Sequence, residues 1–238
     1  MNGLLTALDN QQLLGCLLEA PKNPSSTVFH LVRTNYQGLE VAKILAAAGI
    51  MFTGIKNYAW QPSETCLYNG IRAVQTGKPL TPQEFNAVID AYPEEYIVSA
   101  FGRQALKEKI ASGEATTTLR NFNPALIASI KIDPLELMVT KGLTKLKIEG
   151  ALNRSLPSLN MEEAEKTQIL TIHGAKGMEA DTVFLHTAIP NTVKKSLFTQ
   201  KGVENEAYVW YVGITRTRKN LIFVTYNGKN YPIPGVCA

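Results

Sequence analysis

Three short polar runs contain the residues of this chain that could bind a phosphate-bearing ligand. The first, Arg33–Asn35, directly follows the apolar run Val28–Val32. The second, Thr171–Glu179, carries two glycines, a histidine, a lysine and a glutamate between two apolar segments, and the third is Tyr211–Arg218. A guanidinium offers a fixed fork of donors to phosphate oxygens, and glycines permit a tight turn whose backbone N–H groups can face an anion. Together the runs predict a phosphate-binding site.

Each candidate residue also has a structural interpretation when it is taken alone. Arg33 could cap carbonyls at its strand end, and Arg216 could belong to a solvated basic cluster. A histidine after an apolar strand, such as His173, is more often a satisfied structural residue. Glu179 could accept a hydrogen bond from a sugar hydroxyl or coordinate a metal through water. Gly213, three residues before Arg216 in an expected helix, predicts close approach of another backbone or of a ligand.

The apolar segments around these runs predict an α/β fold with a parallel sheet. Val28–Val32 and Ile50–Ile55 predict strands, and Leu39–Ala48 between them predicts a helix, which together form a βαβ unit. The strand pattern resumes at residue 167 and continues to residue 226. Ligands bind at the carboxyl ends of the strands in such sheets, where the first two polar runs would lie.

The middle of the chain predicts helices and no strand. Thr81 predicts a helix start, because Pro82 follows at the first helical position and Glu84 completes a capping box. An α/β domain interrupted by a helical insertion explains this order best. The expected parts are a helical lead-in at 1–20, the α/β domain at 21–75 and 166–230, and the insertion at 76–165.

Composition narrows the class of protein. No run approaches about 18 consecutive apolar residues, so no membrane-spanning helix is expected. Three widely spaced cysteines predict neither a disulfide framework nor a metal site and favour a reducing cytoplasm. The net charge of +4 arises in residues 103–154, which hold nine lysines and arginines against five acidic residues. This distribution suits contact with nucleic acid, although a solvated helical surface explains it equally well.

In combination, the three runs resemble the C-terminal motifs of superfamily 1 helicases of the UvrD/Rep type. Arg33–Asn35 with Gln37 is similar to motif IV of that family. Thr171–Glu179, with the pattern Thr-x-His-x-Ala-Lys-Gly-Met-Glu, is similar to motif V, and Tyr211–Arg216 is similar to motif VI. The order and spacing of the motifs also match, with the helical insertion between motifs IV and V.

The resemblance implies a second RecA-like domain that completes an ATP site. Arg33 and Arg216 match arginines that contact the γ-phosphate of ATP bound between two RecA-like domains, where they act as arginine fingers. Glu179, which follows Gly177 in the same motif, matches a glutamate that contacts the nucleotide sugar. The implied cofactors are ATP and Mg²⁺ in the complete protein, with none held tightly by this chain alone.

The resemblance also implies contact with single-stranded or partly duplex DNA. Thr171 and His173 match the part of motif V that lies toward the single-stranded DNA track. Trp60, loosely similar to the motif that follows motif IV, could stack on a base or pack in a core. The Ala-Lys-Gly at Ala175–Gly177, rather than the Ser-Gln-Gly common in RecD-like relatives, favours the branch that translocates 3′→5′. The other implied partner is an N-terminal RecA-like domain.

Some features depart from the family pattern. Val32 stands where the family often has a tyrosine that stacks on adenine, and Ala207–Tyr208 replaces the usual basic pair before motif VI. The 238 residues contain no Gly-x-x-x-x-Gly-Lys-Ser/Thr phosphate loop. The chain is therefore expected to hold half of an ATP site, as the C-terminal part of a longer or split protein.

The sequence thus predicts the C-terminal part of an ATP-dependent 3′→5′ DNA helicase. A different class also fits, namely a helicase-derived regulatory or scaffold module that binds DNA or a partner without using ATP. A helicase-nuclease would require nuclease residues that the sequence does not show. The first two differ in one respect: only the helicase should gain DNA-stimulated ATPase activity when the N-terminal domain is supplied.

Overall fold

The protein divides into two compact units, which are described separately. The computed structural model describes residues 26–97, 102–113, 117 and 119–224. The sheet unit contains the described residues up to Ala59 and from Glu162 onward, and the helical unit spans Trp60–Met161. The helical lead-in expected at residues 1–20 lies outside the described residues. Among the helices of the described ranges, none is long and apolar enough to cross a membrane.

Among the described residues, helices and strands alternate in the sheet unit, whereas the helical unit contains helices and no strand. In chain order they are β1 (Val28–Val32), α1 (Asn35–Ala47), β2 (Thr53–Gly54), α2 (Pro62–Thr76), α3 (Pro82–Ala91), α4 (Gly102–Ala111), α5 (Pro124–Ile132), α6 (Gly142–Asn153), α7 (Met161–Glu165), β3 (Thr167–Thr171), β4 (Ala180–His186), α8 (Asn191–Ser196), α9 (Gln200–Ile214) and β5 (Thr217–Val224).

All five strands form one parallel sheet in the order β2-β3-β1-β4-β5. The central strand β1 pairs with β3 on one side and with β4 on the other, so that Val28 lies opposite both Thr167 and Thr182. Every residue of β1 is buried, as expected for a parallel strand covered on both faces. The expected α/β fold with a parallel sheet is therefore confirmed.

An apolar core lies between the sheet and α9. Its buried members come from β1 and β4, the segment after β3, the segment after β4, and α9 itself: Phe29, Leu31, Ile172, Ala175, Ala180, Val183, Leu185, Ile189 and Trp210. Side chains of α8 and α9 that are partly buried also pack against it. This core fixes the segments that leave the strand ends, which carry the candidate site residues.

The first helix begins earlier than the apolar pattern predicts, at Asn35 rather than at Leu39. The cause is a capping box, in which the Thr34 hydroxyl accepts from the Gln37 N–H and the Gln37 side chain accepts from the Thr34 N–H. The strand expected at Ile50–Ile55 is shorter, only Thr53–Gly54, because the Ile50 N–H closes the end of α1 by donating to the Leu45 carbonyl at 2.9 Å.

The helical unit includes α2, which the expected boundary at residue 75 had placed in the α/β domain. The Tyr68 hydroxyl donates to the Leu156 carbonyl oxygen at 2.6 Å. The Asn69 side chain exchanges two hydrogen bonds, of 3.0 and 2.8 Å, with the backbone of Leu159. These bonds tie α2 to the segment after α6. A local hydrophobic pattern cannot show which unit a helix joins, because such partners lie about 90 residues away.

Candidate functional site

The crossover run, residues 172–179, connects β3 to β4. It runs from the side of the sheet where the parallel strands end, called here the carboxyl edge, to the side where they begin, called the amino edge. β3 and β4 are parallel and lie on either side of β1, so this crossover run leaves the carboxyl end of β3 and returns to the amino end of β4. Ile172 and Ala175 are buried in the apolar core and fix its path. The crossover therefore places His173 at the carboxyl edge of the sheet and Glu179 at the amino edge.

Several backbone N–H groups of the crossover run form local hydrogen bonds instead of facing an anion. The N–H groups of Ala175, Lys176 and Met178 donate to nearby backbone carbonyls at 3.0–3.3 Å. The Gly174 N–H donates to the Thr171 hydroxyl at 3.0 Å. These four donors are used locally and are therefore not directed at a phosphate.

Arg216 lies at the amino edge of the sheet, just past the end of α9 rather than within it. Its carbonyl accepts from the Ala180 N–H at 2.9 Å, which joins it to the end of the crossover run. Its guanidinium donates to the carbonyls of Val212 (3.0 Å) and Met178 (3.2 Å) and to the Thr215 hydroxyl (3.0 Å).

The Arg216 guanidinium has no carboxylate partner within the part of the chain that the structure describes. A guanidinium has five N–H donors, and its three contacts are to neutral oxygens, so two donors and the positive charge are left for a further acceptor. This is a preorganised cation beside Glu179, suited to an anionic group such as a phosphate.

Glu179 and Gly177 complete the amino-edge group. The Glu179 carboxylate accepts from the Arg218 Nε at 3.1 Å in an ion pair whose two side chains are each about half exposed. A second carboxylate oxygen is therefore accessible to a hydroxyl donor. Gly177 has a φ of 82°, in the left-handed region that favours glycine, and turns the chain toward Glu179.

Gly213 is explained by packing. A Cβ at this position of α9 would lie 3.0 Å from Leu185 Cδ1 and 3.5 Å from Ile172 Cγ2. The glycine therefore lets α9 approach β4 and the crossover run closely, which satisfies the expectation of a close approach without a ligand. This approach holds Arg216 near Met178.

Arg33 lies at the other edge of the sheet and is paired with a carboxylate. Its Nε and Nη2 donate to the two oxygens of Glu206, each at 3.1 Å, in a bidentate ion pair. Glu206, on α9, is only 4% exposed and Arg33 is 18% exposed. Sequence inspection could not pair these two residues, because they are 173 positions apart. The pair joins the end of β1 to α9.

The expectation that Arg33 and Arg216 contact the same γ-phosphate is wrong for this sheet. Arg33 lies beyond the carboxyl end of β1, whereas Arg216 lies before the amino end of β5. The strand register separates them by roughly eight residues, or about 26 Å along the strand direction. Only Arg216 lies with Glu179 and Gly177, so only Arg216 remains a candidate arginine finger.

We expect Glu206→Gln to lower the free energy of unfolding by about 3 kcal/mol, because it leaves the largely buried Arg33 charge without its partner. Urea denaturation monitored by circular dichroism would measure the change. Glu204→Gln is the matched control, since Glu204 is exposed on the same helix and pairs with Gln200. Equal stability of the two variants would contradict a stabilising role for the Arg33–Glu206 pair.

The two residues expected to face DNA lie at the carboxyl edge. Thr171 is the last residue of β3, and its hydroxyl caps the crossover run by accepting from the Gly174 N–H. His173 is exposed, with its ring accessible to solvent. Both therefore lie on the edge of the sheet opposite Glu179 and Arg216.

Trp60 cannot stack on a DNA base, because its side chain is only 2% exposed. It lies in the helical unit, where Lys147 Nζ is 5.6 Å from the centre of its ring. Lys147 in turn pairs with the buried Glu64 at 2.7 Å, and Glu64 also accepts from the Thr144 hydroxyl at 2.6 Å. The packing alternative for Trp60 is the correct one.

Comparison with known proteins agrees with the motif resemblance. Residues 72–228, about two thirds of the chain, match the family described as UvrD-like helicase C-terminal domain. The chain is 32% identical over 100 residues to the ATP-dependent DNA helicase Rep of Buchnera aphidicola subsp. Acyrthosiphon pisum, a match that covers 40% of this chain and 15% of that protein. It is 30% identical over 128 residues to the Rep protein of Buchnera aphidicola subsp. Schizaphis graminum, covering 49% and 18%.

A shorter match is to the probable DNA helicase II homolog of Rickettsia conorii, with 40% identity over 62 residues that cover 24% of this chain and 9% of that protein. The chain thus matches less than a fifth of the length of these relatives. The family match itself extends over more than half of the chain. The chain therefore belongs to the UvrD-like helicase C-terminal domain family.

Proposed function

We propose that this chain is the C-terminal portion of an ATP-dependent 3′→5′ DNA helicase and supplies Arg216 and Glu179 to an ATP site shared with an N-terminal RecA-like domain. The observation that carries the proposal is the Arg216 guanidinium, which is positioned by three neutral oxygens and lacks a carboxylate partner among the described residues. Family membership supports the helicase class.

In this proposal the two edges of the sheet have different ligands. The amino edge, with Arg216, Glu179 and Gly177, faces the nucleotide. The carboxyl edge, with Thr171 and His173, faces single-stranded DNA. The crossover run connects the two edges directly, and Ile172 and Ala175 anchor it in the apolar core, so in this proposal a displacement at one end reaches the other through this run. The names of the relatives, which are DNA helicases, support DNA as the partner.

ATP with Mg²⁺ is the cofactor that we propose for the complete protein. Most contacts to its phosphates would come from the phosphate loop of the N-terminal domain. The Arg216 guanidinium would stabilise negative charge on the γ-phosphate as phosphoryl transfer proceeds, and the accessible oxygen of Glu179 would accept from a sugar hydroxyl. The 3′→5′ polarity rests on the Ala-Lys-Gly of motif V, and the widely spaced cysteines suit a cytoplasmic location.

We expect the purified chain alone to show no ATPase activity above background, since half of the proposed site is missing. The same chain combined with an N-terminal RecA-like domain that carries a phosphate loop should hydrolyse ATP, with the rate increased by single-stranded DNA. A coupled assay of ADP release would measure both. ATP hydrolysis by the chain alone would overturn the half-site proposal, and inactivity of the combination would favour a non-catalytic binding module.

A further inference from the structure

Phe198 is the most exposed large apolar side chain among the described residues, at 90%. It lies in the short loop between α8 and α9. Its neighbours Val193 and Leu197 are partly buried and pack against the apolar core, so the loop is anchored. The Phe198 ring is therefore exposed to solvent on an anchored loop, whereas the side chains of Val193 and Leu197 pack against the core.

This loop lies at the carboxyl edge of the sheet. α8 follows the carboxyl end of β4, and α9 runs back to the amino end of β5. The segment between β4 and α8 is also tied to the start of α1, because the Gln37 side chain donates to the Ala188 carbonyl at 2.6 Å. Phe198 therefore lies on the same edge as His173.

The residues that flank this loop on α8 and in the first turn of α9 are basic, and the first acidic residue of α9 is Glu204. Residues 187–203 contain Lys194, Lys195 and Lys201 and no aspartate or glutamate. Lys195 and Lys201 are exposed on either side of Phe198. An exposed aromatic ring between two exposed lysines combines the two features that proteins use to bind single strands, namely a stacking surface and positive charge along the backbone.

We propose that Phe198 stacks on a base of single-stranded DNA while Lys195 and Lys201 contact the flanking phosphates. This inference rests on the proposed function and adds a contact outside the three motifs. The positive charge of the lysines that flank the loop favours a polyanion as the occupant rather than an apolar protein surface. A single exposed ring also offers too little apolar area for a stable protein interface.

Binding of a fluorescein-labelled oligo(dT) of 20 nucleotides to the 238-residue chain, measured by anisotropy, tests the proposal. Phe198→Ala should weaken binding about tenfold or more, and Phe198→Trp should retain it, because either aromatic ring can stack. Ile132→Ala, at an 86% exposed site in the helical unit, is the matched control and should bind like the original chain. Lys195→Ala and Lys201→Ala should each reduce the slope of log K against log salt by about 0.7.

The Phe198→Trp variant gives a direct signal of stacking. The natural tryptophans, Trp60 and Trp210, are both 2% exposed, so added DNA should quench mainly the fluorescence of the new residue. If the chain binds oligo(dT) but Phe198→Ala binds equally well, the inference is wrong and the proposed function stands. If the chain does not bind oligo(dT) at all, both the inference and the proposed DNA contact of this chain fail. Loss of a concentration-dependent dimer in Phe198→Ala, without an effect on DNA binding, would instead assign the loop to self-association.

Discussion

Arg216→Ala is expected to lower the turnover number for DNA-stimulated ATP hydrolysis about 1,000-fold or more in the proposed combination of this chain with an N-terminal RecA-like domain that carries a phosphate loop. Arginine fingers contribute factors of this size because they stabilise charge that develops only in the transition state. The arginine lies at a fixed position, held by Met178, Val212 and Thr215, so its loss is not easily replaced by a neighbour. Steady-state ATPase assays with saturating single-stranded DNA would measure the effect.

Two arginines of the same chain are matched controls for this prediction. Arg218→Ala removes an exposed ion pair with Glu179 and should change the turnover number by less than about tenfold. Arg33→Ala should lower stability while the folded fraction keeps its turnover number, because Arg33 is at the opposite edge of the sheet. A loss of turnover in Arg33→Ala as large as that in Arg216→Ala would contradict the separation of the two edges.

The second large effect is a loss of stability in acid, which we expect from two buried histidines of the sheet. His30 Nδ1 and His186 Nε2 are 3.2 Å apart, and the His30 ring stacks on Phe184 with 4.8 Å between ring centroids. Burial lowers the pKa of His186 to about 3. Burial, and secondarily the neighbouring His186, also lowers the pKa of His30 well below its usual range. Both histidines are therefore neutral in the folded protein at pH 5–7.

The sign of the pH dependence follows from proton uptake. Below pH 6.5 the unfolded chain protonates both histidines, whereas the folded chain binds neither proton, so the free energy of unfolding falls as the pH falls. At pH 5 the expected loss is about 2 kcal/mol for each histidine. Urea denaturation at pH 7.5 and pH 5 would measure it.

Variants separate the effect of the buried histidines from that of carboxylates, which also bind protons as the pH falls. Between pH 7.5 and pH 5, the free energy of unfolding should fall by about 2 kcal/mol less in His186→Gln than in the original chain, because only one buried histidine remains. His173→Gln should leave the pH dependence unchanged, since His173 is exposed. An unaltered pH dependence in His186→Gln would show that the buried pair is not the origin of acid sensitivity.

The local pattern of the sequence was sufficient for the parallel α/β fold and for most helices. Val28–Val32 is a continuous apolar run because both faces of a central parallel strand are covered. Thr81 and Glu84 form the expected capping box at the start of α3. Such features depend on residues within a few positions of each other, so they can be recognised without knowledge of the tertiary structure.

The site required the tertiary structure, because its contacts join distant positions. The γ-phosphate role expected for Arg33 fails because Glu206, far away in the chain, binds it, and because the strand register separates it from Arg216. Trp60 has an aromatic ring with one polar atom, and from the sequence such a residue fits a stacking role or a core position equally well. Only its burial, with Lys147 near its ring, decides between the two.

The amino-acid sequence by itself determined the order of the strands along the chain, the three motifs and the helicase family, because these depend on residue type and local spacing. Only the tertiary structure decided which motif residues share an edge of the sheet. The physical reason is the crossover: β3 and β4 are parallel and flank β1, so one continuous motif must begin at the carboxyl edge and end at the amino edge. His173 and Glu179, six residues apart, therefore serve opposite edges of one sheet.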